Sequence, residues 1–289
     1  MDVDLIRTFI QVAKTSHFRK AAEQLYLTQS AVSARIKLLE ERLGVKLFTR
    51  SKHQVSLTTA GVRFLSHAEQ LLSGWNRACQ EVRLPEQADS TMVTGATDTI
   101  WNMFLIDWII EINRLQPQTM IRAELFTGDA LMTSLLDGSL DIAVMFDAPA
   151  LPRLQIEELA AVPFVMVASQ DRLMAAEAIQ TGFIEVNWGE SFAAAFHLHF
   201  GSMYPVRLNT SVGKVALELI LKTGGAAYLP KPMIMPYLQQ QKIFQVADAP
   251  VIMRPVYTAQ LAGSNQLATV AEAIEIMRVC LTGKLNDQG

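Results

Sequence analysis

Gln29, Ser30, Ser33 and Arg35 fall within two helical turns of one another, and each can hydrogen-bond the edge of a nucleic-acid base. A glutamine amide matches adenine bidentately, a guanidinium matches guanine, and a serine hydroxyl serves either. Thr28, Arg50 and Lys52 around them suit phosphate oxygens, with His53 beside the last. Lys37 is a phosphate clamp or merely a solubilising charge. This is recognition without bond-making, and it requires a scaffold that presents one end of a helix outward.

The flanking sequence predicts that scaffold. Phe18, Ala21, Ala22 and Leu25 follow the i, i+3, i+4, i+7 stripe of a helix laid on a core, and Val32, Ile36, Leu39 and Leu43 repeat it. Tyr26-Leu27-Thr28 is too short for a free linker and suits a tight helix-turn-helix, with Thr28 as N-cap of the second helix. Gly44 stands where a C-cap needs positive φ. Leu5, Phe9 and Val12 predict a further helix closing a three-helix core, and Lys46–Arg50 with Val55–Leu57 predict a hairpin wing around a polar turn at Ser51–Gln54. Gln29, Ser30 and Ser33 then occupy the helix end that enters the major groove in such motifs.

The segment resembles the winged helix-turn-helix of the LysR-type transcriptional regulators. The matching residues are Phe18, Ala21-Ala22, Leu25, Thr28 through Ser33, Ile36, Leu39-Glu40, Leu43-Gly44, Leu47-Phe48, Arg50, Leu57-Thr58 and Ala60-Gly61. Length and layout after residue 90 resemble that family too, and the head and the Trp188-Gly189 region are similar to its HdfR-like members. Two departures stand out. Ala34 occupies a position where many relatives carry a long polar side chain, and Lys52-His53-Gln54 replace the arginines common in the wing. The resemblance implies double-stranded operator DNA, a small-molecule effector, a homodimer or homotetramer and RNA polymerase as partners, with no cofactor and no metal.

Composition agrees. Residues 1–85 carry 13 Lys/Arg against 7 Asp/Glu, while the whole chain of 289 residues has a net charge of −3, so a basic head precedes an acidic body. That asymmetry is expected of a protein that neutralises phosphates at one end. Two cysteines, Cys79 and Cys280, offer no disulfide framework, and Cys79 reads as a buried apolar side chain on a helix seam. The N-terminus lacks a secretory pattern and no stretch reaches the roughly 18 apolar residues of a membrane span, so a cytoplasmic location without membrane contact is expected.

After the wing, Thr58 or Thr59 can cap a long helix to about Arg83. Leu65, Ala68, Leu72, Trp75, Cys79 and Val82 recur along it at steps of three and four, the spacing of a coiled-coil seam. Leu65, Leu72, Trp75 and Val82 are the candidates for dimerisation; packing of the helix on its own body is the alternative. Pro85 and the polar run to Ser90 mark a hinge.

The fold expected is α/β overall. A winged head occupies 1–58, a linker helix 59–84 and a hinge 85–90. A two-lobed body like a periplasmic binding protein follows over 91–289, with lobe I at 91–162 and 262–289 and lobe II at 163–261. Strands at Met92–Ala96, Ile121–Phe126 and Leu140–Phe146 alternate with helices, which implies a parallel sheet with ligands at strand C-termini. Strands near Phe164–Ala168, Ile184–Trp188, Val206–Asn209 and Ala226–Leu229 and a helix at Val212–Leu221 build the second lobe; Tyr257–Leu261 returns to the first.

The family pattern points to the turns after the strands, Thr97-Asp98-Thr99, Thr127-Gly128, Phe146-Asp147, Asn209-Thr210-Ser211 and Gly224-Gly225, with effector contacts at Thr97, Asp98, Thr99, Thr127, Gly128, Phe146, Asn209 and Gly225. An Asp98 carboxylate capping a helix at the cleft mouth would compete with an anion, favouring a neutral or cationic effector, or none; Thr97 and Asp98 as plain helix caps that see no ligand are the alternative. His197-x-His199 would put two imidazoles on one strand face, but no third ligand follows at a metal-site spacing, so structural histidines are expected. Met233 and Met235 read as adaptable filler. Nucleophile-elbow, dinucleotide and Walker patterns are absent. A solute-binding protein or a metabolite enzyme on the two-lobed body are the rival readings; the basic head and the missing secretory pattern count against the first, and the absence of a nucleophile–base constellation against the second.

Overall fold

The structure is a computed structural model describing residues 2–50, 55–82, 90–151, 153–180, 182–262 and 267–286. The chain divides into two compact units, one built on Met1–Gln87 and one on Ala88–Leu135 with Asp141–Gly289.

The first unit carries helices α1 (Val3–Thr15), α2 (Phe18–Gln24) and α3 (Gln29–Leu43), the strands β1 (Phe48–Arg50) and β2 (Val55–Leu57), and the long helix α4 (Thr59–Glu81). Its core joins Phe9, Val12, Val32, Ile36 and Leu47, all fully buried, with the Phe9 ring against Phe48 and Phe64 at 5.3 and 5.2 Å. Local signals place the helices. Thr28 Oγ1 accepts the Ala31 N–H at 3.2 Å and so caps α3, and Gly44 ends it at φ 70°. Leu43, expected on the core stripe, is 41% exposed because α3 has run past the edge of the core by its last turn.

Thr58, not Thr59, starts α4. Its hydroxyl accepts the Gly61 N–H at 2.9 Å and donates to the Lys46 carbonyl at 2.7 Å, tying the helix to the wing. Gly61 permits this closeness, since a Cβ there would lie 2.2 Å from the Leu47 carbonyl oxygen. A backbone oxygen cannot rotate away. Gly61→Ala is therefore expected to cost about 3 kcal/mol, the upper end of overpacking penalties, read as a lower urea midpoint for the head with an unchanged slope.

The seam expected along α4 splits in two. Ala68 is buried and Leu65 and Leu72 pack partly onto the head's own core, whereas Trp75 is 52% and Val82 87% exposed. Leu71 and Ala78 are exposed as well, giving an outward stripe Leu71-Trp75-Ala78-Val82.

The second unit begins with β3 (Ser90–Ala96), a short α5 (Asp98–Ile100) that runs through a π-helical turn at Trp101–Leu105 into α6 (Ile106–Leu115), then β4 (Thr119–Leu125), α7 (Gly128–Leu136) and β5 (Ile142–Met145). β6 (Leu154–Ala168) leads to α8 (Ala175–Gln180), β7 (Ile184–Val186), α9 (Glu190–Phe200), β8 (Leu208–Thr210) and α10 (Gly213–Thr223). β9 (Ala226–Pro230), α11 (Lys231–Gln239), β10 (Phe244–Gln245), β11 (Ile252–Leu261) and α12 (Leu267–Asn286) complete it.

The main sheet runs β10-β6-β11-β5-β3-β4, with β9 also paired to β6. β3 is parallel to β4 and β5, as expected for the first lobe, but β11 lies antiparallel to β5 and β6, so the sheet is mixed. β6 and β11 pair from Phe164↔Ile252 to Leu154↔Leu261, with a bulge at Val256/Tyr257, and form the two-stranded bridge between lobes. β6 starts ten residues before the expected Phe164 because Glu157, Glu158 and Pro163 interrupt any apolar run. β7 and β8 form their own parallel pair in the second lobe.

One local expectation fails. His197 and His199 lie on a helix, where i and i+2 point about 200° apart, so no shared strand face exists. The spacing of Phe192, Phe196 and Phe200 at steps of four is helical, and it prevails over the short alternation around the histidines. Met233 and Met235 sit on α11, a helix that tolerates Pro236 inside it.

Candidate nucleic-acid interface and interlobe cleft

In the head, α3 presents its first turn to solvent. Thr28, Gln29, Ser30, Ala34 and Lys37 are exposed and Ser33 is half-buried. At about 100° per residue, Gln29, Ser30, Ser33, Ala34 and Lys37 share one side of the helix. Arg35 does not. It is rotated about 160° from Ser33 and about 120° from Gln29 on the helical wheel, and its guanidinium is held by Asp4 at 3.3 Å and the Thr8 hydroxyl at 3.3 Å, bracing α3 against α1. Thr28 and Ser30 share a hydrogen bond at 2.9 Å.

A recess lined by Ser33, Ala34, Lys37, Glu40, Lys46 and Phe48 lies between α3 and the wing's first strand. Lys46 borders it with its ammonium 2.7 Å from Glu40. Glu40 is buried, and its Oε1 accepts the N–H groups of Leu47 and Phe48 at 2.9 and 3.3 Å. Burial alone would raise its pKa, but the Lys46 bond and the two amides together outweigh that and hold it below the usual carboxylate value. Tyr26, 97% exposed at φ 54° in the inter-helix turn, is a further outward group that apolar periodicity does not reveal. Lys52 and His53 lie outside the described residues, as does the side chain of Arg50.

In the second unit, Thr97, Asp98 and Thr99 follow β3, Thr127 and Gly128 follow β4, and Phe146 follows β5, so these turns line the C-terminal edge of the parallel strands. Thr97 occupies the N-cap position without a side-chain cap bond, and Asp98 instead accepts from Asn102 Nδ2 at 2.9 Å; the capping expected of either side chain is not formed. Asn209 lies on β8 and donates to Glu185 at 2.6 Å. Gly225, at φ 124°, sits where a Cβ would come 2.7 Å from the Gly182 carbonyl oxygen, so its conformation has a purely steric reason.

Beside Phe146, Arg254 and Ser191, both absent from the expected set, gather around Asp147. Arg254 points inward from β11 with its side chain 4% exposed, and its Nη2 donates to Asp147 at 2.6 Å. Asp147 follows β5 of the first lobe and also accepts from the hydroxyl of Ser191, in the first turn of α9 of the second lobe, at 2.7 Å. Arg254 lies 4.5 Å over the Phe146 ring, which meets Phe164 edge-on. Its Nη1 is buried without a partner. Burial depresses its pKa while Asp147 acts against that. Gly189 is required beside it, as a Cβ would lie 2.7 Å from Asp147 Oδ2. The signal available in the sequence was a lone arginine on the inward side of Ile252-x-Arg254-x-Val256.

Residues 3–62 match the bacterial regulatory helix-turn-helix proteins of the lysR family, and residues 86–279 match the LysR substrate binding domain. The chain is 31% identical to the HTH-type transcriptional regulator HdfR of Yersinia enterocolitica over 284 residues, covering 95% of this chain and 96% of that one. Among solved structures, a full-length OxyR variant from Pseudomonas aeruginosa is similar with a TM-score of 0.62 at 21% identity, covering 97% and 95% of the two chains. Vibrio fischeri DarR in complex with DNA is similar with a TM-score of 0.60 at 19% identity, covering 96% and 98%. A winged head and a two-lobed α/β body, each matched over nearly its full extent, make this chain a member of the LysR family of transcriptional regulators.

Proposed function

We propose that this regulator reads its operator through the first turn of α3, with Gln29, Ser30 and Ser33 at base edges and Thr28, Lys37, Arg50, Lys52 and His53 at the backbone. The observation that carries the reading is the solvent-facing stripe Gln29-Ser30-Ser33-Lys37 on a rigid three-helix core. Arg35 is reassigned from base reading to bracing, because its charge is engaged by Asp4 and Thr8 on the far side of the helix. Ala34 reads at most a thymine methyl.

Regulation follows from an effector in the interlobe cleft, bounded by Thr97, Asp98, Thr99, Thr127, Gly128 and Phe146. The latch Asp147–Arg254–Ser191 ties the lobes, so a ligand that competes for or completes it shifts the open–closed balance without chemistry on the ligand. Paired linker helices supply the dimer through Leu71, Trp75 and Val82, with Leu65 and Leu72 mainly stiffening the helix on its head. We place the functional boundaries at 58/59, across 85–90 and at 162/163. No described helix is long and apolar enough to cross a membrane. A cytoplasmic location belongs to the same proposal, since the operator is there.

Fluorescence anisotropy on the DNA upstream of its own gene tests the reading. Specific binding should fall steeply with salt. Gln29→Ala should lose about 1–3 kcal/mol of preference for operator over random duplex, whereas Lys37→Ala should weaken both alike and reduce the salt slope by about one. Equal loss on both duplexes for Gln29→Ala would remove α3 from base reading.

A further inference from the structure

The second lobe holds a cavity that the cleft reading does not use. It lies between α9 and the β7–β8 pair, encloses about 100 Å³ and is partly open to solvent. By the measure in which one water needs about 10–15 Å³, it has room for roughly seven to ten heavy atoms. Phe192 and Phe196 from α9, Phe183, Trp188, Tyr204 and Tyr228 form its walls. The rings are locked: Trp188 Nε1 donates to the Tyr228 carbonyl at 2.9 Å, and Gly213 leaves the space that the indole fills, a Cβ there falling 2.4 Å from Cη2. Of the eight effector contacts expected from the sequence, Asn209 alone borders this cavity.

Its polar end is Glu185, half-buried, which accepts from the Tyr204 hydroxyl and from Asn209 Nδ2, each at 2.6 Å. A carboxylate offers about four acceptor positions, so two remain. Among the described residues no lysine or arginine lines the cavity, whose one basic side chain is the imidazole of His197, and neither hydrogen-bond partner of Glu185 brings a positive charge. Burial, and then Glu185 itself, hold the Tyr204 hydroxyl well above its usual pKa, so Tyr204 stays a donor to Glu185. Aromatic faces present negative potential, and a carboxylate whose hydrogen-bond partners are both neutral adds to it. Both features disfavour an anion and favour a compact cation with an apolar body.

We propose that this cavity, whose wall at Gly189 adjoins the Asp147–Arg254 pair, is a second ligand site that takes a small organic ammonium ion with its cationic head on Glu185 and its apolar body among the rings of Phe192, Phe196 and Trp188. The site goes beyond operator binding and does not depend on it. The experiment is calorimetry on the full chain without DNA, using phenethylammonium, 2-phenylethanol and phenylacetate as a cation, neutral and anion series. The ammonium should bind at least about 10-fold tighter than the alcohol, and the carboxylate weakest. Glu185→Gln should erase that preference by weakening the ammonium alone, and Ala193→Leu, which fills the cavity from α9, should abolish both. With 5-fluorotryptophan incorporated, the Trp188 resonance, assigned by its loss in Trp188→Phe, should move on titration of the wild type. Equal affinity for alcohol and ammonium, tightest binding of the carboxylate, retained binding in Ala193→Leu or a stationary Trp188 signal would each overturn the proposal. No arm contains DNA, so failure here leaves the operator reading intact, and failure of operator binding leaves these titrations readable.

Discussion

Asp147→Ala is expected to destabilise the two-lobed unit by about 2–3 kcal/mol. Removing one partner of a buried ion pair ordinarily costs about 3–5 kcal/mol, because the remaining charge is stranded away from water. Arg254 is the stranded charge here, 4% exposed and already short of a partner at Nη1. The lower figure follows from Asp147 itself, whose side chain is 52% exposed, so water can enter where the carboxylate stood. Its loss also removes the acceptor for Ser191, the direct hydrogen bond from the second lobe to that carboxylate. Urea unfolding of the intact protein measures the cost. Arg254→Met, which removes the buried charge and keeps the stem stacked near Phe146, should cost less than Asp147→Ala. The opposite ranking would mean that Arg254 acts through packing rather than charge.

Glu40→Ala should be worse, at about 3–4 kcal/mol, since it orphans two buried N–H donors at about 1–3 kcal/mol each. Leu47 and Phe48 both donate to one Glu40 oxygen, and they lead directly into the wing. A domain stable by about 5–15 kcal/mol loses a large share of its margin, and operator affinity should fall with it. The pH dependence has a definite sign. The Glu40 pKa is lower folded than unfolded, so the stabilisation is fully present above the unfolded value of about 4.3 and is lost as pH falls through the folded one. Glu40→Gln keeps an acceptor for the amides but does not titrate, so its unfolding free energy should change less than the wild type's between pH 5 and the acid limb. Parallel acid sensitivity in the two proteins would show that other carboxylates govern it.

Much of the head was legible in advance because its signals are local. The stripes through Phe18 and Val32, the Thr28 cap and the αL position of Gly44 all act within one or two turns, and each is found in the structure. Glu40 shows where such reading stops. It belonged to the recognised motif, yet its partners lie six to eight residues on, beyond a turn whose path periodicity does not specify. Arg35 shows the same limit from the other side. Its spacing made it a base reader, but a helical wheel combined with Asp4 and Thr8, some 30 residues earlier, turns it inward.

The body was legible as alternating strands and helices and much less so as a site. α9 was missed because its histidines mimic alternation, and β6 was started late because charged residues and Pro163 break its apolar pattern.

The sequence by itself determined the family, the basic reading head and the order of α/β units, since caps, stripes and charge asymmetry are properties of neighbouring residues. Only the tertiary structure decided that Asp147, Ser191 and Arg254, and likewise Glu185, Tyr204 and Asn209, form working clusters. Their hydrogen-bonded members are 19 to 107 residues apart. Hydrogen bonding and desolvation depend on distance in space, and the pairing of strands, β7 with β8 at Glu185↔Asn209 and β11 with β5 near Arg254 and Asp147, sets that distance rather than any local pattern.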